Sequence, residues 1–492
     1  MNHLPIEVIE MIAGDLSIED LHSFRLACRD FKAKAQVPFF DAHYGISSFM
    51  VTRDSLQTLV NFSKHDTKRK RIREIRICLV TFTDSHRARI TEDPLSKQEM
   101  NEYNALLAVP ARQARDSLDS STESFVTAEE DQGRAFQRLL EEYLKKLKRS
   151  RRRNYGRHMS QQFALRRSGT DISMLTEALK NLPALETISI TDEFDPECPT
   201  WGARQLQIET GIIPTTGKPD PVHWWYNPTD VAVHLDMRRH VFALVMGAVA
   251  RSQVKLKHFS IQGVPYRMDY PKTPTSRRLS PAGTPATTFA ESSIPGMQPL
   301  FVNLQSLTLT IFENRYNDPA IDAVDTPLDW ISKFAPAFEN LRKLSIIGHK
   351  GNPHEETHIV NTLSPANVFP NLLYFALEIV PFNVVDLCRF INNHSLEGLT
   401  IYDCTCLEAD PYHPFHSYGR VLETLKNTTT MCCLKLQNPP QPDLWATTGL
   451  GRQFQARLLL PGIGTNSFIV EASDPCAFQI ALQDRRESLN IN

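Results

Sequence analysis

The chain lacks an excess of charge of either sign. Its 54 Lys and Arg against 56 Asp and Glu leave a formal net charge of −2, so no global field draws it to nucleic acid or acidic membrane. Any basic function must be local. It also lacks a long apolar run: the longest, Val241 to Ala250, is too short to span a bilayer and reads as a buried helix. The N-terminus, Met1-Asn-His-Leu-Pro-Ile-Glu7, has neither the basic segment nor the apolar core of a secretory signal. Cysteine is sparse and unpatterned. Nine residues, an odd number, are spread over almost the whole chain, which fits reduced, mostly buried thiols in a cytoplasmic or nuclear protein. The sequence holds no phosphate-binding glycine loop, no Gly-x-Ser-x-Gly elbow and no dinucleotide-binding glycine pattern, so an enzyme, a catalytic residue and a cofactor are not expected.

What is present is an ordinary soluble composition, 41% hydrophobic and 22% charged over 492 residues. That length fits two or three domains of about 150 residues, or one elongated repeat array that shares a continuous core.

The first forty residues read as short helices. Leu4-Pro5-Ile6-Glu7 places a proline in a first helical turn, and Ile6, Ile9, Ile12 and Leu16, by way of Val8 and Met11, give a broad apolar stripe. Gly14 and Asp15 end that helix, and Ser17-Ile-Glu-Asp20 is a capping-box-like start for a second. Its apolar face runs Leu21, Phe24, Ala27, Cys28, Phe31. A third helix is predicted through Lys32 to Gln36, stopping before Pro38. Three short helices in forty residues cannot bury a self-sufficient core and need a partner surface.

The string Leu4-Pro5-x-Glu7-x-Ile9, followed by Asp20-Leu21-x-x-Phe24-Arg25-Leu26-x-Cys28-Arg29-x-Phe31, resembles an F-box. In that family the module docks on the Skp-type adaptor of a cullin-based ubiquitin ligase. The resemblance implies that Leu4, Pro5, Ile9, Leu21, Phe24, Leu26 and Cys28 lie at or beside the adaptor interface.

Beyond it the pattern apolar-x-x-apolar-x-apolar returns eight times: Ile72/Ile75/Ile77, Leu185/Ile188/Ile190, Leu256/Phe259/Ile261, Leu304/Leu307/Leu309, Leu341/Leu344/Ile346, Leu372/Phe375/Leu377, Leu396/Leu399/Ile401 and Met431/Leu434/Leu436. Three copies share a lead-in, Phe301-Val-Asn-Leu304, Phe338-Glu-Asn-Leu341 and Phe369-Pro-Asn-Leu372. This resembles the strand segment of leucine-rich repeats, each unit laying a short parallel strand beside the last. Helical stretches are predicted at Ile172–Leu182, Arg238–Ser252, Asp329–Phe338 and Val384–Asn392. Start-to-start spacings run from 24 to 113 residues against about 20–29 in regular arrays, so the array is irregular and interrupted.

The expected fold is therefore α/β: an F-box at 1–45, a first repeat and linker at 46–83, a disordered and helical basic insertion at 84–170, an irregular leucine-rich-repeat solenoid at 171–475 and a tail at 476–492. Further insertions fall at about 193–236, with three of the five tryptophans, and at 265–299, with seven prolines and three Ser/Thr-Pro pairs beside Arg277 and Arg278. Period-2 alternation points the residues between the leucines onto an open sheet face. Of these, Tyr374, Glu378, Tyr402, Lys343 and Lys435 are the candidate substrate-binding residues.

The run Lys145-Lys-Leu-Lys-Arg-Ser-Arg-Arg-Arg153 follows the amphipathic stretch Phe136, Leu139, Leu140, Tyr143, Leu144, Leu147. It reads first as a solvated helix end, where cations complement the helix dipole, then as a nuclear-import signal, and last as a nucleic-acid patch; neither nucleic acid nor a membrane is an expected partner. One catalytic-looking motif exists. His354-Glu355-Glu356-Thr357-His358 matches the zinc-hydrolase pattern, but the turn sequence Gly348–Pro353 before it is no apolar approach to a metal helix, and a zinc metalloprotease is only a remote alternative. Cys404, Cys406, His413 and His416 could form a second metal site, but the Cys-x-Cys spacing is tighter than usual for structural zinc and Cys404 falls at a repeat position three residues past Ile401. The F-box resemblance implies a substrate-recognition subunit of a cullin-RING ubiquitin ligase, bound to the adaptor and through it to a cullin. Its alternative is an F-box scaffold acting without the cullin.

Overall fold

A computed structural model of the chain describes residues 4–90, 125–191, 200–212, 228–262, 284–285, 301–312, 337–348, 369–378, 382–402, 433–437 and 467–471, with a few single residues between these stretches. Four helices open it: α1 (Ile6–Gly14), α2 (Ile18–Ala27), α3 (Arg29–Lys34) and α4 (Gln36–Tyr44). Ser17 caps α2, its Oγ accepting from Asp20 N at 3.2 Å, and the Cys28 thiol caps α3 by accepting from Phe31 N at 3.3 Å. Pro38 does not end the third helix, as the sequence suggested. It sits in the first turn of α4, where its missing N–H would have had no intrahelical partner.

The rest is an α/β structure built on one largely parallel sheet. In chain order it comprises β1 (Ile46–Met50), α5 (Arg53–Lys64), α6 (Asp66–Arg69), β2 (Glu74–Cys78), α7 (Asp84–Arg89), α8 (Phe125–Ser168), α9 (Thr170–Lys180), β3 (Thr187–Thr191), β4 (Thr200–Trp201), α10 (Ala203–Thr210) and α11 (Pro228–Ser252). Then come β5 (His258–Gln262), β6 (Thr284–Pro285), β7 (Ser306–Phe312), β8 (Lys343–Ile347), β9 (Tyr374–Glu378), α12 (Val384–Asn393), β10 (Gly398–Tyr402), β11 (Cys433–Gln437) and β12 (Ser467–Glu471). The strand order is β4-β1-β2-β3-β5-β7-β8-β9-β10-β11-β12, with β6 beside β7. Pairing is parallel except between β11 and β12.

From β1 through β2, β3, β5 and β7 to β11 the sheet grows in one direction, while β4 returns to the edge beside β1. Successive parallel strands joined by crossovers of the usual hand carry those crossovers on one face. One continuous core lies there, from Phe49 and Leu56 through Ile188, Leu175 and Val245 to Leu399 and Leu434. The strands enter in a repeated way. The carbonyls of Gly45, Arg73, Glu186, Lys257, Gln305, Arg342 and Leu373 each accept two successive N–H groups from the start of the next strand. The geometry therefore recurs although the intervening sequence differs in length. The shared Phe-x-Asn-Leu lead-ins explain part of it: Phe301, Phe338 and Phe369 stack in series at 4.9 and 5.8 Å between centroids. Asn340 Nδ2 donates to Val302 O at 2.6 Å and Asn371 Nδ2 to Glu339 O at 2.5 Å, each reaching back one lead-in.

Several features depart from the sequence reading. The stretch 84–90, expected to be disordered, forms α7 with His86 and Ile90 buried. β1, β4, β12 and the short β6, which falls inside the insertion read at 265–299, were not predicted. β1 escapes the apolar pattern because serines stand at two adjacent buried positions on opposite faces: Ser47 is in register with Ile75 of the core, while Ser48, in register with Arg76, has its Oγ 2.9 Å from Cys78 Sγ and 2.8 Å from Thr200 Oγ1. α11 begins ten residues earlier than predicted. Residues 329–336 of the helix predicted at 329–338 lie outside the described residues, as do Trp224 and Trp225. No helix among the described residues is long and apolar enough to cross a membrane.

Candidate functional site

The N-terminal helices pack around very little. Ala13, Leu21 and Ala35 form their own buried cluster, with Leu16, Phe24 and Phe39 partly covered against it. Outside this small core, large apolar side chains face solvent: Ile6, Val8, Met11, Ile12, Leu26 and Val37. Val8, Met11 and Ile12 are surface neighbours at spacings of three and four; Met11 is 72% exposed and Leu26, at the end of α2, 85%.

The seven residues singled out for adaptor contact divide between two locations. Pro5 and Leu26 are exposed, and Leu4 is half-buried. Ile9 and Leu21, each 1% exposed, are turned inward. Phe24 stacks on Phe31 at 4.5 Å, and Cys28 is occupied in capping α3. Ile9, Leu21, Phe24 and Cys28 therefore build the module, while Met11 and Ile12, absent from the sequence-derived set, stand on its surface. The stripe of α1 was visible from periodicity. Which half of it turns inward was not, because apolar residues occupy both halves.

The module is joined to the sheet and its neighbouring helices by several contacts. Asp41 on α4 takes both oxygens to Arg71 Nη1, at 3.0 and 3.2 Å. Tyr44 packs on Phe62 and lies parallel to the Trp201 ring at 6.3 Å, so Trp201 in the second insertion has a packing role. Lys68 Nζ lies 4.0 Å above the Phe62 ring. Between α2 and α4, His22 Nε2 meets His43 Nε2 at 2.7 Å, and the Arg25 guanidinium lies 3.4 Å from the centre of the Phe39 ring. Burial, then the neighbouring His22 and Arg25, holds the His43 pKa below its ordinary value.

The second surface is the sheet face away from the core. Across β2, β3 and β5, Ser260 Oγ donates to Ser189 Oγ at 2.9 Å, Ser189 Oγ reaches Glu74 Oε1 at 3.4 Å, and Arg76 Nε donates to the same oxygen at 2.7 Å. Toward the C-terminal end the register brings the candidate substrate residues together in pairs: Lys343 beside Tyr374, and Glu378 beside Tyr402, while Lys435 stands beside Thr400. Lys343, Tyr374 and Lys435 are exposed; Glu378 and Tyr402 are half-buried.

The basic run also has a definite place. Arg151 is buried, 4% exposed, while Lys145, Lys146, Lys148, Arg149, Arg152 and Arg153 are exposed. His354, Glu355 and His358 lie outside the described residues, as do Cys406, His413 and His416. Cys404 is buried, its thiol donating to Tyr402 O at 3.3 Å. Among the described residues no group of three or more His, Cys, Asp or Glu is arranged to hold a metal ion. No family model matches the chain, and no curated protein matches it.

Proposed function

We propose that this chain is the substrate-recognition subunit of a cullin-RING ubiquitin ligase, with α1–α3 acting as an F-box and the sheet as an irregular leucine-rich-repeat solenoid. The observation that carries the reading is the apolar surface of the N-terminal helices. Exposed apolar groups, Ile6, Val8, Met11, Ile12, Leu26 and Val37, outnumber the buried cluster of Ala13, Leu21 and Ala35 that they surround, an arrangement that a partner completes by burying them. The F-box-like residues Leu4 to Phe31 supply the class of partner, a Skp-type adaptor.

The mechanism would be tethering. The adaptor holds the N-terminal helices, and a protein substrate sits on the open sheet face near Tyr374 and Lys343. The contacts between α4 and the sheet would set the distance between them. Holding the substrate near the charged ubiquitin carrier raises its local concentration without chemistry by this chain.

The test is co-expression with a Skp-type adaptor, comparing wild type with Met11→Ala/Leu26→Ala. Both positions are exposed, so the variant should fold normally while retention of the adaptor drops about tenfold or more. Folded wild type that retains no adaptor overturns the reading. Retention of adaptor without cullin replaces it with the scaffold reading.

A further inference from the structure

We infer that the outward face of α8 between Lys145 and Arg153 binds the phosphate backbone of nucleic acid. The inference is independent of the ligase reading and starts from where the basic run sits. A solvated helix end would be the simplest account of such a run, since cations lower the energy of the last helical turn, but that effect fades within a turn. Here Ser168 ends the helix fifteen residues beyond Arg153, about four turns away. The dipole does not explain the charges.

Nor is the run a free peptide of the kind an import receptor can wrap. Arg151 in its middle is buried against Gly211, where an added Cβ would lie 2.7 Å from the guanidinium carbon. Immediately beyond, Tyr155 is wholly buried, its hydroxyl donating to Thr83 O at 2.9 Å and accepting from Thr83 N at 2.7 Å. Two turns further, Gln162 Nε2 donates to Val80 O at 2.8 Å and Val51 O at 3.2 Å. To become an extended signal the segment would have to leave the sheet.

What remains is a rigid helix with six exposed cations and no ion pair to any of them among the described residues. The carboxylates of neighbouring elements are engaged elsewhere on α8: Glu209 with Arg157 and His158, and Asp236 with Arg166. Glu141 and Glu142 lie one turn upstream of Lys145 and Lys146; from Tyr143 to Thr170 the chain has no acidic residue. Lys145 to Arg153 spans about 12 Å of helix at 1.5 Å per residue. One nucleic-acid strand carries a charge about every 3.4 Å, so three or four phosphates fall within that reach. A lipid surface suits this face less well. Amphipathic membrane helices need a broad apolar side, and the only large apolar side chain that is exposed on α8 among the described residues is Phe163, ten residues past Arg153.

The experiment is fluorescence anisotropy on the full chain, with a 20-base-pair DNA duplex and a 20-nucleotide single-stranded RNA as probes, across a series of salt concentrations. The variant Arg149→Gln/Arg152→Gln/Arg153→Gln removes three exposed charges; Arg251→Gln/Lys255→Gln removes two exposed charges elsewhere. Wild type should bind with log Kd rising steeply with log salt. The triple variant should lose at least tenfold in affinity, and its salt slope should shrink by about 2–3 on duplex and about 2 on RNA. The control pair should behave as wild type. Binding that survives the triple substitution unchanged overturns the inference. So does a folded wild type that binds neither probe at low salt, whether or not it binds phosphatidylserine vesicles or a polyglutamate peptide.

Discussion

The Tyr374 ring lies across Gly398 on the neighbouring strand. A Cβ built on that glycine would be 2.7 Å from Tyr374 Cδ1 and 3.1 Å from Cε1, and in this pose Tyr374 Oη donates to Glu397 Oε2 at 2.9 Å. The absence of a side chain at 398 therefore sets the position of the most exposed aromatic on the open face among the described residues.

Gly398→Ala should consequently have an effect whose sign depends on position 374. With Tyr374 present, the methyl displaces an exposed ring, which can swing aside, so the loss should be about 1 kcal/mol or less. With Tyr374→Ala the clash is gone, and replacing a strand glycine should instead stabilise by about 0.5–1 kcal/mol. Urea unfolding of the four proteins in this cycle should give a coupling above about 0.5 kcal/mol; strict additivity would mean the ring does not rest on the glycine.

The N-terminal helices offer a separation of stability from binding. Ile9→Ala and Leu21→Ala empty buried positions and should each cost about 2–5 kcal/mol, melting α1–α4. Met11→Ala and Leu26→Ala should leave the melting temperature within about 1–2 °C. Helical circular dichroism and thermal melts of all four distinguish the inner half of α1 from the outer.

The Phe301–Phe338–Phe369 series should transmit damage between lead-ins. Phe338 is fully buried at its centre, and Phe338→Ala should cost about 3–5 kcal/mol. Asn371→Ala removes one hydrogen bond to Glu339 O at an exposed site and should cost only about 0.5–1.5 kcal/mol. Denaturant midpoints showing the reverse order would contradict the packing described.

Acid should weaken the C-terminal part of the sheet through His394. Burial holds its pKa below the ordinary value, opposed by the hydrogen bond between Nδ1 and Phe390 O at 2.8 Å. The unfolded chain takes up this proton near pH 6.5, whereas the folded chain takes it up only at lower pH. The stability contributed by the neutral ring is thus complete above about pH 6.5 and is lost as pH falls through the folded value. His43, lowered mainly by burial, acts in the same sense. His394→Phe keeps a ring beside Phe390 and should flatten, though not abolish, the fall of the urea midpoint between about pH 6.5 and 5. An unchanged slope would place the acid sensitivity elsewhere.

Strands β2, β3, β5 and β7–β11 could be read in the sequence because each carries two or three large apolar residues at fixed spacing, and only a sheet with one covered face needs that pattern. The lead-in Phe-x-Asn-Leu was equally legible, since its phenylalanine and asparagine each have a job repeated from one copy to the next. That Lys343 and Tyr374 share the open face followed from alternation alone, whereas their side-by-side register came with the parallel pairing of β8 and β9. Tertiary structure decided the rest. Ser48, on the face opposite Phe49, became buried only because Cys78 and Thr200 bring matching polar groups to it. Arg151 became buried, and the six cations around it stayed exposed, only because α8 lies on Thr83, Val80 and Gly211, contacts made across at least sixty residues of chain. The two halves of α1 are both apolar, so local periodicity has no means to say that Ile9 packs and Met11 waits in solvent; that choice belongs to the helices folded against it.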